Sequence, residues 1–197
     1  MRRIRFTPLL LVAALAASPA LAQAPTPART DNATQAAPDD RLQQLYVALK
    51  RERDPEKAGG VAKQIMSELG DSGSATIDLL MQWAATAITE KRNGAALDFL
   101  DQATLLQPDF IEAWNRRAGL HYAMGDTRKS MADINQVLLR EPRHFGAIAG
   151  MAAILTDSGQ NELALKAWQR YLTIYPADRD AQEAMIKLSE TLDGSRT

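Results

Sequence analysis

The 197-residue chain has no cysteine, and only 6% of its residues are aromatic. The absence of cysteine excludes disulfides, thiolate metal sites and a lipid-modified N-terminal cysteine. The low aromatic content, against 46% hydrophobic residues and abundant alanine, favours helices packed closely through small residues over a β-sandwich. The composition therefore predicts an all-α protein with a sizeable core.

Strong charge of either sign is also lacking, since the formal net charge is −1. Loss of Arg2, Arg3 and Arg5 with an N-terminal signal would take −1 to −4. A mildly acidic chain does not offer the basic footprint that nucleic acid requires. We therefore expect no nucleic-acid partner.

The first 22 residues have the layout of a cleavable secretory signal. A basic start is followed by an apolar stretch from Phe6 to Ala17, and Ala20-Leu21-Ala22 places small residues where a signal peptidase cuts. The stretch is shorter than the ~18 residues of a spanning helix, which disfavours the alternative of an uncleaved anchor. The residues around Arg2-Arg3 match a twin-arginine signal poorly. We predict a signal peptide over residues 1–22, export across the inner membrane to the periplasm, and no membrane insertion after cleavage.

Residues 23–39 are rich in Ala, Pro, Thr, Asp and Asn without apolar periodicity, which predicts a disordered linker. Beyond it, a 34-residue period dominates the chain. Pro108, Pro142 and Pro176 mark the period, and small and large apolar residues recur in the same register. A fixed period of this kind is typical of an array of helix-turn-helix units. Gly125 and Gly159 fit the end of each first helix, where glycine adopts a left-handed C-cap cheaply, and Asp126 and Asn161 fit the N-cap of the second.

These slots resemble the tetratricopeptide repeat. The unit 111–144 carries the pattern as Trp114, Ala118, Gly125, Ser130, Ile134, Val137 and Pro142. The resemblance implies a right-handed solenoid of antiparallel helix pairs, with repeats at about 77–110, 111–144 and 145–178. We expect a domain over 40–192, in which a divergent helical pair at about 40–74 caps the start and a helix at about 179–192 caps the end. Residues 193–197 are expected to form a disordered tail.

Motifs for chemistry are missing. The two histidines, His121 and His144, have no partners at metal-ligand spacing, and the sequence has neither a phosphate-binding Gly-rich loop nor a nucleophile elbow. We therefore predict structural histidines, no metal, no cofactor and no catalysis. Arg117 and Asp133 are predicted to form an ion pair within one repeat.

The resemblance further implies a groove lined by the first helix of each pair. Its twelve inner slots hold Asp78, Met81, Ala85, Ile88, Glu112, Asn115, Gly119, Tyr122, Gly146, Ala149, Ala153 and Thr156. Small residues predict a shallow trough, and Asp78 and Glu112 predict acid at one rim. Asn115 and Arg116 alone do not make the family's carboxylate clamp for C-terminal peptides. The sequence thus favours an envelope adaptor that holds a partner's helix or extended segment; a self-assembling structural protein, a homo-oligomer with an empty groove, is the alternative.

Overall fold

The computed structural model describes residues 38–194, with side chains from residue 40. This part of the chain contains nine α-helices and no strand, which confirms the all-α prediction. The signal peptide and nearly all of the linker lie outside the described residues. The helices are α1 Pro38–Arg51, α2 Pro55–Leu69, α3 Ala75–Thr89, α4 Asn93–Leu106, α5 Ile111–Ala123, α6 Thr127–Arg140, α7 Phe145–Asp157, α8 Asn161–Ile174 and α9 Arg179–Gly194.

Helices α3 to α8 form three antiparallel pairs in the predicted register. Each pair packs extensively within itself, and each second helix also contacts the first helix of the next pair. The turn inside a pair needs a left-handed residue, and Gly125 and Gly159 supply it with φ of 81° and 69°. Lys91 occupies the same slot of the first pair with φ 57°. The array is therefore a stack of equivalent units with one strained turn.

The predicted N-caps of the second helices are half right. The Asp126 carboxylate accepts a hydrogen bond from the Lys129 backbone N–H, 3.1 Å away, and caps α6. Asn161 does not cap α8, because the helix begins one residue earlier than expected: Asn161 is its first residue and Gln160 holds the cap position without a side-chain hydrogen bond.

Helices α1 and α2, the N-terminal hairpin, do not cap the first repeat as predicted. The hairpin instead packs against the third repeat and the turn that follows it. Its buried side chains share one core cluster with Phe145, Ile148, Tyr171, Ala177 and Ala181, and α1 contacts α8. The reason is chemical: its apolar residues meet an aromatic group on α7 and α8, in which the Phe145 ring lies edge-on to Tyr171 and Tyr175.

The ends of the described region also differ from expectation. Asp54 caps α2 by accepting from the backbone N–H groups of Glu56 and Lys57, and α2 continues through Gly59-Gly60. Pro38 and Asp39, assigned to the linker, begin α1. Helix α9 runs to Gly194, so two residues of the predicted disordered tail are helical. Its buried residues Ala181 and Leu188 face the array.

Candidate functional site

The first helices of the pairs form the inner side of the array. Helices α5 and α7 contact each other directly across neighbouring units. A small cavity of about 80 Å³ lies between them, with residues of α6 at its base. Four predicted groove residues line it, namely Asn115, Gly119, Tyr122 and Gly146, together with Ala118, Ser130, Ile134, Ala147 and Gly150. The structure thus brings together the central members of the predicted groove.

Small side chains shape this cavity. A methyl group built on Gly119 would have no neighbour within 4 Å, so the surface above α5 is open there. On the α7 side, a methyl group on Gly150 would lie 3.4 Å from the Ile134 Cδ1 atom, so the wall is tight. Ser130 is bound below, where its hydroxyl donates to the Ala118 carbonyl oxygen, 2.8 Å away. The result is an apolar trough, open at Gly119, with backbone within reach.

A larger depression of about 370 Å³ lies further along, between α7, α8 and α9. Two predicted groove residues, Ala153 and Thr156, line it. Sequence reasoning missed the others: Asp157, Asn161, Trp168, Ala184, Lys187, Leu188 and Thr191. The signal was present, since Ala184 and Leu188 lie 34 residues after Gly150 and Ile154, in the register of a further first helix.

A hydrogen bond links the two hollows. The Tyr122 hydroxyl at the end of α5 donates to the Asp157 carboxylate at the end of α7, with 2.5 Å between the oxygens. This bond is the main reason why the pKa of Tyr122 is raised, with burial and the Asp157 charge adding to it. Tyr122 is therefore a fixed wall of the small cavity, and Asp157 is an exposed acid beside the larger depression.

Three predicted groove residues are not on the open surface. Met81 is only 7% exposed and belongs to the core of the first repeat, because α3 is rotated to bury it. Glu112 is also 7% exposed, so the predicted acid rim is wrong at this position. Its carboxylate accepts from the Asn115 amide at 3.1 Å and lies 3.6 Å from the Arg116 Nε atom. Ala149 packs, half-buried, against the core cluster of the N-terminal hairpin.

The inner slots of the first repeat stand apart from both hollows. Asp78 is exposed, and its carboxylate accepts a hydrogen bond of 2.6 Å from the Ser72 hydroxyl. Ala85 is half-buried and Ile88 is exposed on α3. None of these lines either hollow. The candidate site therefore lies on the second and third repeats.

Both histidines have structural roles. The buried His144 caps α7, and its Nδ1 atom accepts from the Ala147 backbone N–H at 3.0 Å. This bond leaves the proton on Nε2, which lies 3.6 Å from the Glu112 carboxylate. His121 is buried with its Nε2 atom 3.9 Å from Asp133. Within residues 40–194, no group of three or more His, Asp or Glu side chains is placed to hold a metal ion.

No described helix combines the length and apolar run needed to cross a bilayer. Comparison with family models finds no match. A TPR repeat-containing protein of Rhizobium etli is 63% identical over 160 residues, which cover 81% of this chain and 78% of the relative.

Solved structures of tetratricopeptide-repeat domains share the fold. The first TPR domain of Spaghetti, bound to the HSP90 peptide SRMEEVD, matches with a TM-score of 0.58 at 18% identity over 61% of this chain and 95% of that one. The Sgt2 TPR domain of Aspergillus fumigatus matches with a TM-score of 0.57 at 16% identity over 62% and 83%. At these identities the likeness describes the arrangement of helices and not the ligand.

Proposed function

The chain belongs to the tetratricopeptide-repeat family, and on that premise we propose that it is a non-enzymatic adaptor of the cell envelope. It binds a helix or an extended apolar segment of a partner protein along α5 and α7. The observation that carries this proposal is the trough between these helices, which is lined by three glycines and open at Gly119. Small residues on an inner helix allow a partner's backbone and apolar side chains to approach closely.

The lining sets the chemistry of the partner. Alanine, glycine and isoleucine dominate the small cavity, and its polar side chains are Asn115, Tyr122 and Ser130. No lysine or arginine lines it, although Lys187 lines the larger depression. The acidic peptide bound to Spaghetti would lack a cationic counterpart in the trough. We therefore propose an apolar segment anchored by hydrogen bonds to Asn115.

Site-specific photocrosslinking in cells tests the groove. A photoreactive residue at Asn115 is expected to crosslink to one envelope protein. The matched control is Leu139, which is 76% exposed on the outer helix α6. Equal adducts from both positions, or adducts from Leu139 alone, would contradict the groove proposal.

A blocking variant provides a second readout. Gly119→Leu places a side chain into open space, so the fold should tolerate it while the trough is filled. Gly60→Leu is the matched control, because Gly60 also lies inside a helix with nothing within 4 Å of a built methyl group. Gly119→Leu should abolish the Asn115 adduct and Gly60→Leu should preserve it.

The envelope location depends on the first 22 residues and has its own test. Intact-mass measurement of the protein from a cell expressing the full chain should place the mature N-terminus at Gln23. A protein that keeps Met1 and remains in the cytoplasmic fraction would overturn the location without touching the groove.

A further inference from the structure

The first repeat exposes a surface that the other two repeats bury. Three slots of the first helix show this difference when read at the 34-residue period: Leu79, Ala113 and Ala147; Trp83, Arg117 and Met151; Thr86, Leu120 and Ile154. Ala113 and Ala147 are at most 1% exposed, whereas Leu79 is 42% exposed. Leu120 and Ile154 are 5% and 4% exposed, whereas Thr86 is exposed.

These slots face the preceding repeat. Arg117 donates from its Nη1 atom to the Asp101 carboxylate at 2.7 Å and to the Thr104 hydroxyl at 3.0 Å, and both acceptors belong to α4 of the repeat before it. Trp83 holds the same slot one repeat earlier and is 45% exposed. Its side chain therefore points to where the second helix of a preceding repeat would lie.

Nothing within residues 38–194 covers this surface. The N-terminal hairpin precedes α3 in sequence, yet its core residues pack with the third repeat. The Trp83 and Phe99 rings lie 5.5 Å apart and, with Thr86 and Arg92, line a depression of about 230 Å³. We call Leu79, Trp83, Thr86 and Phe99 the leading face.

We propose that the leading face is a dimer interface, on which a second copy of this chain seats its own leading face. This inference goes beyond the groove function and uses a different surface. The apolar slots are of the kind that a neighbouring helix pair buries twice in this chain, so a helix pair is the fitting occupant.

The far end of the stack decides how two copies can meet. Helix α9 covers that end with its buried residues inward, and its outer positions Gln182, Glu183 and Glu190 are exposed and polar. A head-to-tail contact would place Trp83 and Leu79 against these polar groups. A head-to-head contact buries apolar against apolar and closes at two copies.

Charge does not oppose this pairing. At the edge of the leading face, the Arg92 guanidinium is paired with Glu90, with 2.7 Å between Nε and Oε2. A twofold axis brings two such neutral pairs together rather than two like charges. The trough on α5 and α7 stays open in the dimer, because it lies on the second and third repeats.

Sedimentation velocity tests the interface on protein isolated after expression of the full chain. The wild type should shift from monomer to twice its mass over a hundredfold range of concentration. Thr86→Glu places two carboxylates across the twofold axis and should weaken the dimer at least tenfold. Ile186→Glu is the matched control at an exposed apolar residue of α9, 54% exposed, and should leave the dimer unchanged.

A cysteine pair gives a second readout that does not depend on removing packing. Because the chain has no native cysteine, Leu79→Cys should form a disulfide-linked dimer under mild oxidation, and Ile186→Cys should not. A wild type that stays monomeric at every concentration overturns the proposal. So does a dimer that persists unchanged in Thr86→Glu, as an exchange of N-terminal hairpins would produce.

Discussion

Arg117 of α5 binds Asp133 of α6 through two parallel hydrogen bonds, Nε to Oδ2 at 2.8 Å and Nη2 to Oδ1 at 2.7 Å. The predicted ion pair is thereby confirmed. Both side chains are largely buried, at 16% and 7% exposure. The hydrogen bonds to Asp133 are the main reason why the pKa of Arg117 is raised, so the pair remains charged at any ordinary pH.

Breaking this pair should destabilise the protein. Arg117→Met leaves the Asp133 carboxylate buried without its partner, and the free energy of unfolding should fall by about 2 kcal/mol. The third repeat supplies the control, because it holds Met151 and Ala167 in the same two slots. The double variant Arg117→Met with Asp133→Ala should lie within about 1 kcal/mol of wild type in urea unfolding. A single variant as stable as wild type would show that the pair is not required.

The strained turn of the first repeat offers a stabilising change. Lys91 adopts φ 57° where the other repeats use glycine. Because a side chain costs ~1 kcal/mol or more in this conformation, Lys91→Gly should stabilise the protein by about that amount, less the added entropy of its unfolded state. The reciprocal change Gly125→Lys should lose a similar amount. Shifts of the urea midpoint in the opposite directions would contradict the turn argument.

The position of the N-terminal hairpin can be tested by hydrogen exchange. Ile65 is fully buried in the cluster shared with the third repeat. Ile65→Ala should cost about 2–5 kcal/mol and speed amide exchange in α7 and α8 before α3 and α4. Leu100→Ala, equally buried but in the cluster of the first repeat, is the control and should show the reverse order. Faster exchange in α3 and α4 for Ile65→Ala would place the hairpin on the first repeat.

All four tyrosines should resist alkaline ionisation. Burial, followed by the charge of Glu141, raises the pKa of Tyr46 well above its usual value. Burial, followed by the hydrogen bond to Asp178, does the same for Tyr171. The pKa values of Tyr122 and Tyr175 are raised too.

The sign of the pH effect follows from these shifts. A tyrosine whose folded-state pKa is raised contributes stability that is full below its unfolded pKa of about 10 and is lost as pH rises beyond it. Tyrosinate absorbance should therefore stay low at about pH 10 and rise together with unfolding seen by circular dichroism. The denatured chain is the control and should titrate near 10. Half-ionised tyrosines at that pH in folded protein would contradict the prediction.

Much of the candidate site could be predicted from the 34-residue register. Asn115, Gly119, Tyr122 and Gly146 meet in one cavity because equivalent slots of successive repeats lie side by side. Glu112 could not be placed this way. Its burial depends on His144 and Arg116, which approach it only when two repeats are stacked.

The sequence by itself determined the helices, the units and their turns. These depend on local rules that repeat every 34 residues: glycine where φ is positive, as at Gly125, and small residues where helices touch. Tertiary structure alone decided where the N-terminal hairpin packs and which end of the stack stays open. The hairpin lies outside the period, and its place follows from long-range apolar contacts with Phe145 and Tyr171 that no spacing encodes.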